Sequence, residues 1–205
     1  HTELTYFRAH GFEVMKRARV LGEITKSSRG LCVAGTHGKT TTSSMLAHLL
    51  KQSPVDCNAF LGGILKNYES NLMLSDTSDF TVIEADEFDR SFHWLTPYMA
   101  EAYRESFEKF TSLIRPDGCL LIKKGINVTP RLQEGVKKYT YSVTEIADFY
   151  AENIRICDGN ITFDFVGPEI RIPDVELGVP VKVNIENGVA AMAIAWLNGV
   201  KPEDL

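Results

Sequence analysis

The run Gly35-Thr36-His37-Gly38-Lys39-Thr40-Thr41 carries the most specific chemistry in the sequence. Glycines at 35 and 38 leave backbone N–H groups clear of side-chain bulk, as a chain of phosphates requires. Lys39 supplies a mobile cation for the β- and γ-phosphates. The Thr40 hydroxyl is a hard oxygen of the kind that completes a magnesium shell. The usual phosphate loop runs G-x-x-x-x-G-K-[ST]. Here Val33 stands five residues before Gly38, so the segment is a shortened variant. The competing interpretation is a glycine turn that binds nothing, and the Gly-Lys-Thr-Thr run in its context weighs against it. For His37 two roles stay open: a contact to phosphate or to a second substrate, and a residue tolerated at an exposed loop position.

A second chemical group is Glu84-Ala85-Asp86-Glu87, directly after the apolar Val82-Ile83. Carboxylates at the C-terminal edge of a strand lie where ligands sit in open α/β sheets. Glu84 is the first acid after the apolar run and the first choice to hold magnesium opposite the loop. Asp86 shares its strand face if the strand persists, because side chains alternate. The alternative is a solvated, charged loop.

These groups need elements to position them. Leu31-Cys32-Val33-Ala34 is too short for a helix and reads as a buried strand. Thr41–Leu50 carries Met45, Leu46, Leu49 and Leu50 as a helical stripe, which gives the order strand, glycine loop, helix. Further strands are expected at Asp56–Leu61, ended by Gly62-Gly63, at Phe80–Ile83, at Cys119–Ile122 and at Tyr139–Val143. Helices are expected at Glu13–Ile24 and Glu101–Ile114, with a turn at Arg115–Gly118. After Asp148 the texture changes. Asn153–Ile156 and Ile161–Phe165 flank Asp158-Gly159-Asn160, a hairpin signal. A last helix opens at Asn184 or Ile185 and runs through Leu197. The fold class that follows is α/β: a mostly parallel, P-loop-type sheet flanked by helices, with a small antiparallel patch in the last third.

Composition bounds the function. The chain has 205 residues, 44% hydrophobic and 24% charged, which excludes a disordered chain as the main interpretation. Its 22 basic and 27 acidic residues give a net charge of −5, a poor basis for binding nucleic acid. No run approaches the roughly 20 apolar residues of a membrane span. No secretion signal is expected from the first residues, and the cysteine usage agrees with the expected cytoplasmic location. The four cysteines lack C-x-x-C spacing, so a zinc ribbon is not indicated. Buried free thiols in strands are the expectation.

At the two motifs the sequence resembles the Mur ligases, the ATP-dependent family that builds the peptide stem of cell-wall precursors. The residues that carry the resemblance are Ala34 through Thr42, Glu84 through Glu87 with Asp89, Ser91 and Phe92, and Asn184-Ile185-Glu186-Asn187-Gly188-Val189-Ala190-Ala191. Arg17-Ala18 with Leu21 and Glu23, and Leu61-Gly62-Gly63 followed by Asn71, also fit. The resemblance covers about residues 11 to 205. It implies that Gly35, Thr36, His37, Gly38, Lys39, Thr40 and Thr41 bind the phosphates of ATP. Lys39 would act on the β/γ pair, and Thr40 and Glu84 would ligate Mg2+. Asn184 and Asn187 would sit at the adenine end; the family-free alternative is a helix N-cap with a surface partner. Gly62-Gly63 would shape the approach of a sugar nucleotide. The implied substrates are UDP-N-acetylmuramate and L-alanine, joined through an acyl phosphate.

The resemblance also implies a domain division. Residues 1–29 would be the exit segment of an N-terminal UDP-binding domain, and residues 30–205 the central ATP-binding domain. The amino-acid-binding C-terminal domain would lie outside these residues. The family carries an Asp-Pro-x-His-x-Asp-like stretch after the acidic strand whose His binds a second magnesium. Here Thr96-Pro97-Tyr98-Met99-Ala100 runs directly into Glu101-Ala102-Tyr103-Arg104, so a loop is expected to be omitted between 100 and 101. Three other functions compete: the recycling ligase that joins a whole tripeptide to UDP-N-acetylmuramate, a P-loop phosphotransferase or nucleotide switch, and a module that only binds nucleotide. The 205 residues alone are expected to be inactive, because substrate closure needs the other domains. Oligomeric state is not readable from the sequence.

Overall fold

The structure is a computed structural model that describes residues 2–85, 95, 97–102 and 107–205, with backbone only for 98–102 and 107. Asp86, Glu87, Asp89, Ser91 and Phe92 lie outside the described residues. Helices α1 (Thr2–Ala9) and α2 (Arg17–Ser27) precede β1 (Arg29–Ala34) and α3 (Lys39–Gln52). Then come β2 (Asn58–Leu65), β3 (Ser70–Met73), β4 (Phe80–Ala85), β5 (Pro97–Ala102), α4 (Phe107–Thr111), β6 (Cys119–Lys123) and β7 (Lys137–Ser142). The chain closes with β8 (Phe149–Cys157), β9 (Asn160–Gly167), β10 (Ile170–Glu176), α5 (Val183–Leu197) and a 3-10 turn at Pro202–Asp204.

The described strands form one ten-stranded sheet in the order β10-β9-β8-β7-β6-β5-β1-β4-β2-β3. From β8 through β7, β6, β5, β1 and β4 to β2 the pairs are parallel. β3 is antiparallel to β2, and β8, β9 and β10 make the expected antiparallel patch. β1 lies between β4 and β5, so the chain leaves it to both sides and opens a crevice at its C-terminal end.

Helices cover both faces, and β1 shows why. Leu31 and Val33 point into a core shared with Leu46 and Leu50 of α3 and Val189 and Ala193 of α5. Cys32 and Ala34 point the other way, against Leu21, Phe110 and Ile114. A strand buried on both faces reads as a continuous apolar run rather than an alternating one.

Several boundaries differ from expectation. β2 does not end at Gly62-Gly63 but passes through them to Leu65. The helix expected from Glu13 spans Arg17–Ser27, where Leu21 and Thr25 are buried. In the segment expected to be helical over Glu101–Ile114, Glu101 and Ala102 extend β5, and α4 covers only Phe107–Thr111. Phe110 and Ile114 are buried as the helical pattern required, while Tyr103 lies outside the described residues. The hairpin forms as expected: Asp158 (φ 49°) and Gly159 (φ 82°) both take the left-handed conformation that a two-residue turn needs. Pro173 sits in edge strand β10 at a register shift between Ile172 and Val175, where no ladder bond is lost to it. Cys32, Cys57 and Cys119 are buried free thiols, whereas Cys157, at the hairpin end of β8, is exposed.

Candidate functional site

The phosphate loop leaves β1 at Ala34 and enters α3 at Lys39, so its amides and the positive end of a fourteen-residue helix face the crevice. Gly38 makes the change of direction with φ +79°, in the left-handed region where a side chain is strained. A Cβ there would also lie 2.6 Å from Asn187 Oδ1. Lys39 turns back over the loop, and its Nζ donates to the Gly35 carbonyl at 2.5 Å.

Glu84 reaches the same place from the neighbouring strand. β1 and β4 pair in parallel with Val33 opposite Glu84, one residue before the end of both strands. Alternation puts Glu84 on the face of Val82, which is the face α3 covers. The Thr40 hydroxyl donates to Glu84 Oε1 at 2.9 Å and to Oε2 at 3.0 Å. The Gly62 N–H donates to Oε2 at 2.9 Å. A Cβ on Gly62 would collide with that same carboxylate, and one on Gly63 would come within 3.3 Å of Thr40 Cγ2. This close approach explains why glycines occupy the middle of β2.

Thr36, His37, Gly38, Lys39, Thr40, Thr41 and Glu84 line one open cavity of about 340 Å³. The structure therefore brings together the loop residues and Glu84, and Lys39 and Glu84 belong to one site. Gly35 lies outside that lining and joins the site as the acceptor for Lys39.

Asn184 and Asn187 lie in the first turns of α5 and are buried. Asn184 is not an N-cap: Lys182 holds that position, and the Asn184 amide donates to the Val179 carbonyl at 3.2 Å. Asn187 accepts from Thr42 Oγ1 at 3.2 Å and donates to Asn184 Oδ1 at 3.2 Å. α3 and α5 thus touch behind the loop, and the two buried asparagines lie outside the cavity lining, tied to the loop through Thr42.

Three features escaped the sequence analysis. Gly62 backs the Glu84 carboxylate, and the signal was paired glycines inside a strand pattern. Thr42 joins the loop to α5; the sequence marked it only as the last residue of the loop motif and gave it no role. Lys123, at the C-terminal tip of β6, pairs with Glu186 of α5 at 2.6 Å on the same edge of the sheet.

No protein-family model matches the chain. Individual proteins do. The chain is 93% identical over 221 aligned residues to a UDP-N-acetylmuramate--L-alanine ligase of Parabacteroides distasonis, covering all of this chain and 48% of that protein. Proteins of the same name from Phocaeicola vulgatus and Porphyromonas gingivalis are 60% and 59% identical, again over the whole of this chain. The chain belongs to the Mur ligase family.

Solved structures agree on the fold. A UDP-N-acetylmuramate-alanine ligase from Thermotoga maritima superposes with a TM-score of 0.75 at 22% identity, over 99% of this chain and 50% of that one. A UDP-N-acetylmuramate:L-alanyl-gamma-D-glutamyl-meso-diaminopimelate ligase from Neisseria superposes with 0.79 at 23%, over 98% of this chain and 71% of that one. The chain spans about half the length of the curated relatives it matches. For a Mur ligase chain the parallel sheet, the glycine loop and the acid on the adjacent strand form one coherent site. Among the described residues no helix is long and apolar enough to cross a membrane.

Proposed function

We propose that these residues form the nucleotide-binding unit of a cytoplasmic, ATP-dependent ligase that joins L-alanine to UDP-N-acetylmuramate in peptidoglycan precursor synthesis. One observation carries this: Thr40 and Glu84, from loop and adjacent strand, meet beside Lys39 in a single cavity. The names of relatives with 93% and 60% identity support the choice of substrates.

The chemistry begins with attack of the muramate carboxylate on the γ-phosphorus. The bond from that phosphorus to the bridging oxygen breaks, ADP leaves, and an acyl phosphate remains. The amine of L-alanine then attacks the carbonyl carbon, phosphate departs, and the amine loses a proton. Both anionic reactants must approach each other, so the barrier is electrostatic. Lys39 and the amides of residues 35–41 place positive charge where the transferring group accumulates negative charge. Positioning of this kind is most of what phosphoryl transfer requires.

Mg2+ fits the residues present. A hydroxyl and a carboxylate are hard oxygen donors suited to it, and both face the cavity, with glycine at 62 leaving the carboxylate its space. Bound there, magnesium would neutralise phosphate charge. The family resemblance assigns Asn184 and Asn187 to the adenine end, on the helix that packs behind the loop.

Residues 1–29 we assign to the exit from a UDP-binding domain and 30–205 to the central domain. In support, α1 has no buried residue and exposes Leu4, Tyr6 and Phe7, whereas α2 already packs on the sheet through Leu21. A loop omitted between Ala100 and Glu101 is supported by the aligned length of 221 residues against 205 here, a difference of 16. In the structure the two residues are consecutive in β5, opposite Cys32 and Val33 on one side and Leu120 and Leu121 on the other. A tryptic peptide with the contiguous mass of residues 91–104 would overturn the omission.

The deciding assay is phosphate release by the full-length enzyme with ATP, Mg2+ and UDP-N-acetylmuramate. Release dependent on L-alanine is expected. Release dependent on the tripeptide instead would assign the recycling ligase, and release with neither acceptor would point to a phosphotransferase or switch.

A further inference from the structure

A chain of buried polar contacts runs from the phosphate loop into α5. The Thr42 N–H donates to the Gly38 carbonyl at 2.8 Å, and the Thr42 hydroxyl donates to Asn187 Oδ1 at 3.2 Å. The Asn187 amide donates to Asn184 Oδ1, and the Asn184 amide to the Val179 carbonyl, each at 3.2 Å. Thr42, Asn184 and Asn187 are 2%, 8% and 9% exposed, so water cannot readily replace a broken link. Asn187 Oδ1 also stands where any side chain at Gly38 would go.

We infer that Asn187 is a positioning residue for the phosphate loop, acting through Thr42, and not solely a contact for the base. The inference rests on the nucleotide site proposed above and assigns α5 a task at the triphosphate end. A glycine that must hold φ +79° has no side chain to restrain it. The restraint comes from outside: Asn187 fills the space beside Gly38 and fixes the first turn of α3, from which Lys39 and Thr40 project. A loop held in its binding shape beforehand loses less freedom when phosphates arrive. Thr42 contributes no atom to the cavity lining. Its hydroxyl therefore tests the link without touching the ligand.

The experiment compares wild type, Thr42→Val and Thr42→Ser in the full-length protein. Each is titrated calorimetrically with Mg-ATP, Mg-tripolyphosphate and adenosine. Thr42→Val is expected to weaken ATP and tripolyphosphate about five- to tenfold, the worth of one buried neutral hydrogen bond, and to leave adenosine unchanged. Thr42→Ser restores both. Equal affinities in wild type and Thr42→Val overturn the inference, and so does a loss confined to adenosine. Unchanged adenosine binding also shows that the variant is folded; if Thr42→Val is not, Thr42→Ala gives the same comparison. A wild type that binds neither ATP nor tripolyphosphate would overturn the nucleotide site itself, which separates that failure from this one.

Discussion

The Thr40 hydroxyl donates to both carboxylate oxygens of Glu84, at 2.9 and 3.0 Å, across 44 residues of sequence. The carboxylate that would share a metal with Thr40 is thereby held in place, with the Gly62 N–H fixing it from β2. Replacing Glu84 by Gln keeps the shape and removes the charge. The magnesium concentration for half-maximal rate should rise roughly tenfold or more. Titration of magnesium against rate measures this, and an unchanged curve rejects the role.

Lys39→Ala should cut turnover by about a hundredfold or more, the usual cost of removing a preorganised donor at developing charge. Lys39 is half-buried on the loop and outside both cores, so stability should change by less than about 1 kcal/mol. Alanine-dependent phosphate release and a denaturant melt read the two quantities. A near-normal rate would remove Lys39 from the mechanism.

Gly62→Ala tests the backing of Glu84 without touching a charged group. The added methyl must displace the carboxylate. The variant should fold, because alanine is tolerated in a strand, yet should share the raised magnesium requirement of Glu84→Gln. Wild-type magnesium dependence would show that the carboxylate position does not matter.

Burial pushes the Cys57 and Cys119 thiols up to about 12, and Cys32 still higher. The unfolded chain ionises these thiols near their ordinary value of 9.0, the native state only later. Their contribution is therefore fully present below about pH 9 and is lost as pH rises toward 12, by up to about 1.4 kcal/mol per unit for each thiol. Urea melts between pH 8 and 11 should show falling stability, less steeply in Cys57→Ala. At pH 8 a thiol reagent should label Cys157 alone among the four in the native protein. Native labelling of Cys57 would contradict the packing.

Much of this was legible locally. Leu31–Ala34 is apolar throughout because both faces of β1 are covered, and the loop announces itself through glycine, lysine and threonine in order. Where local and distant forces disagree, sequence analysis failed. Gly62-Gly63 looks like a stop, but a carboxylate 22 residues away needs the space, and the strand continues. β3 is four residues with only Met73 buried, too weak a pattern to notice. Ile154 through Cys157 looks like core, yet it lies in the part of β8 beyond its pairing with β7 and is exposed. The Thr42–Asn187 contact joins residues 145 apart, and no periodicity reports it.

The parallel pairing of Val33 with Glu84 sets more than the shape of the sheet. Were β4 to dock one position out of step, every one of its side chains would swap faces. The acid would then point toward Phe110 and Ile114, and the loop would lose its counterpart. A misassembled molecule is thus silenced by the same error that misfolds it, and competence for chemistry becomes a proofread of strand alignment.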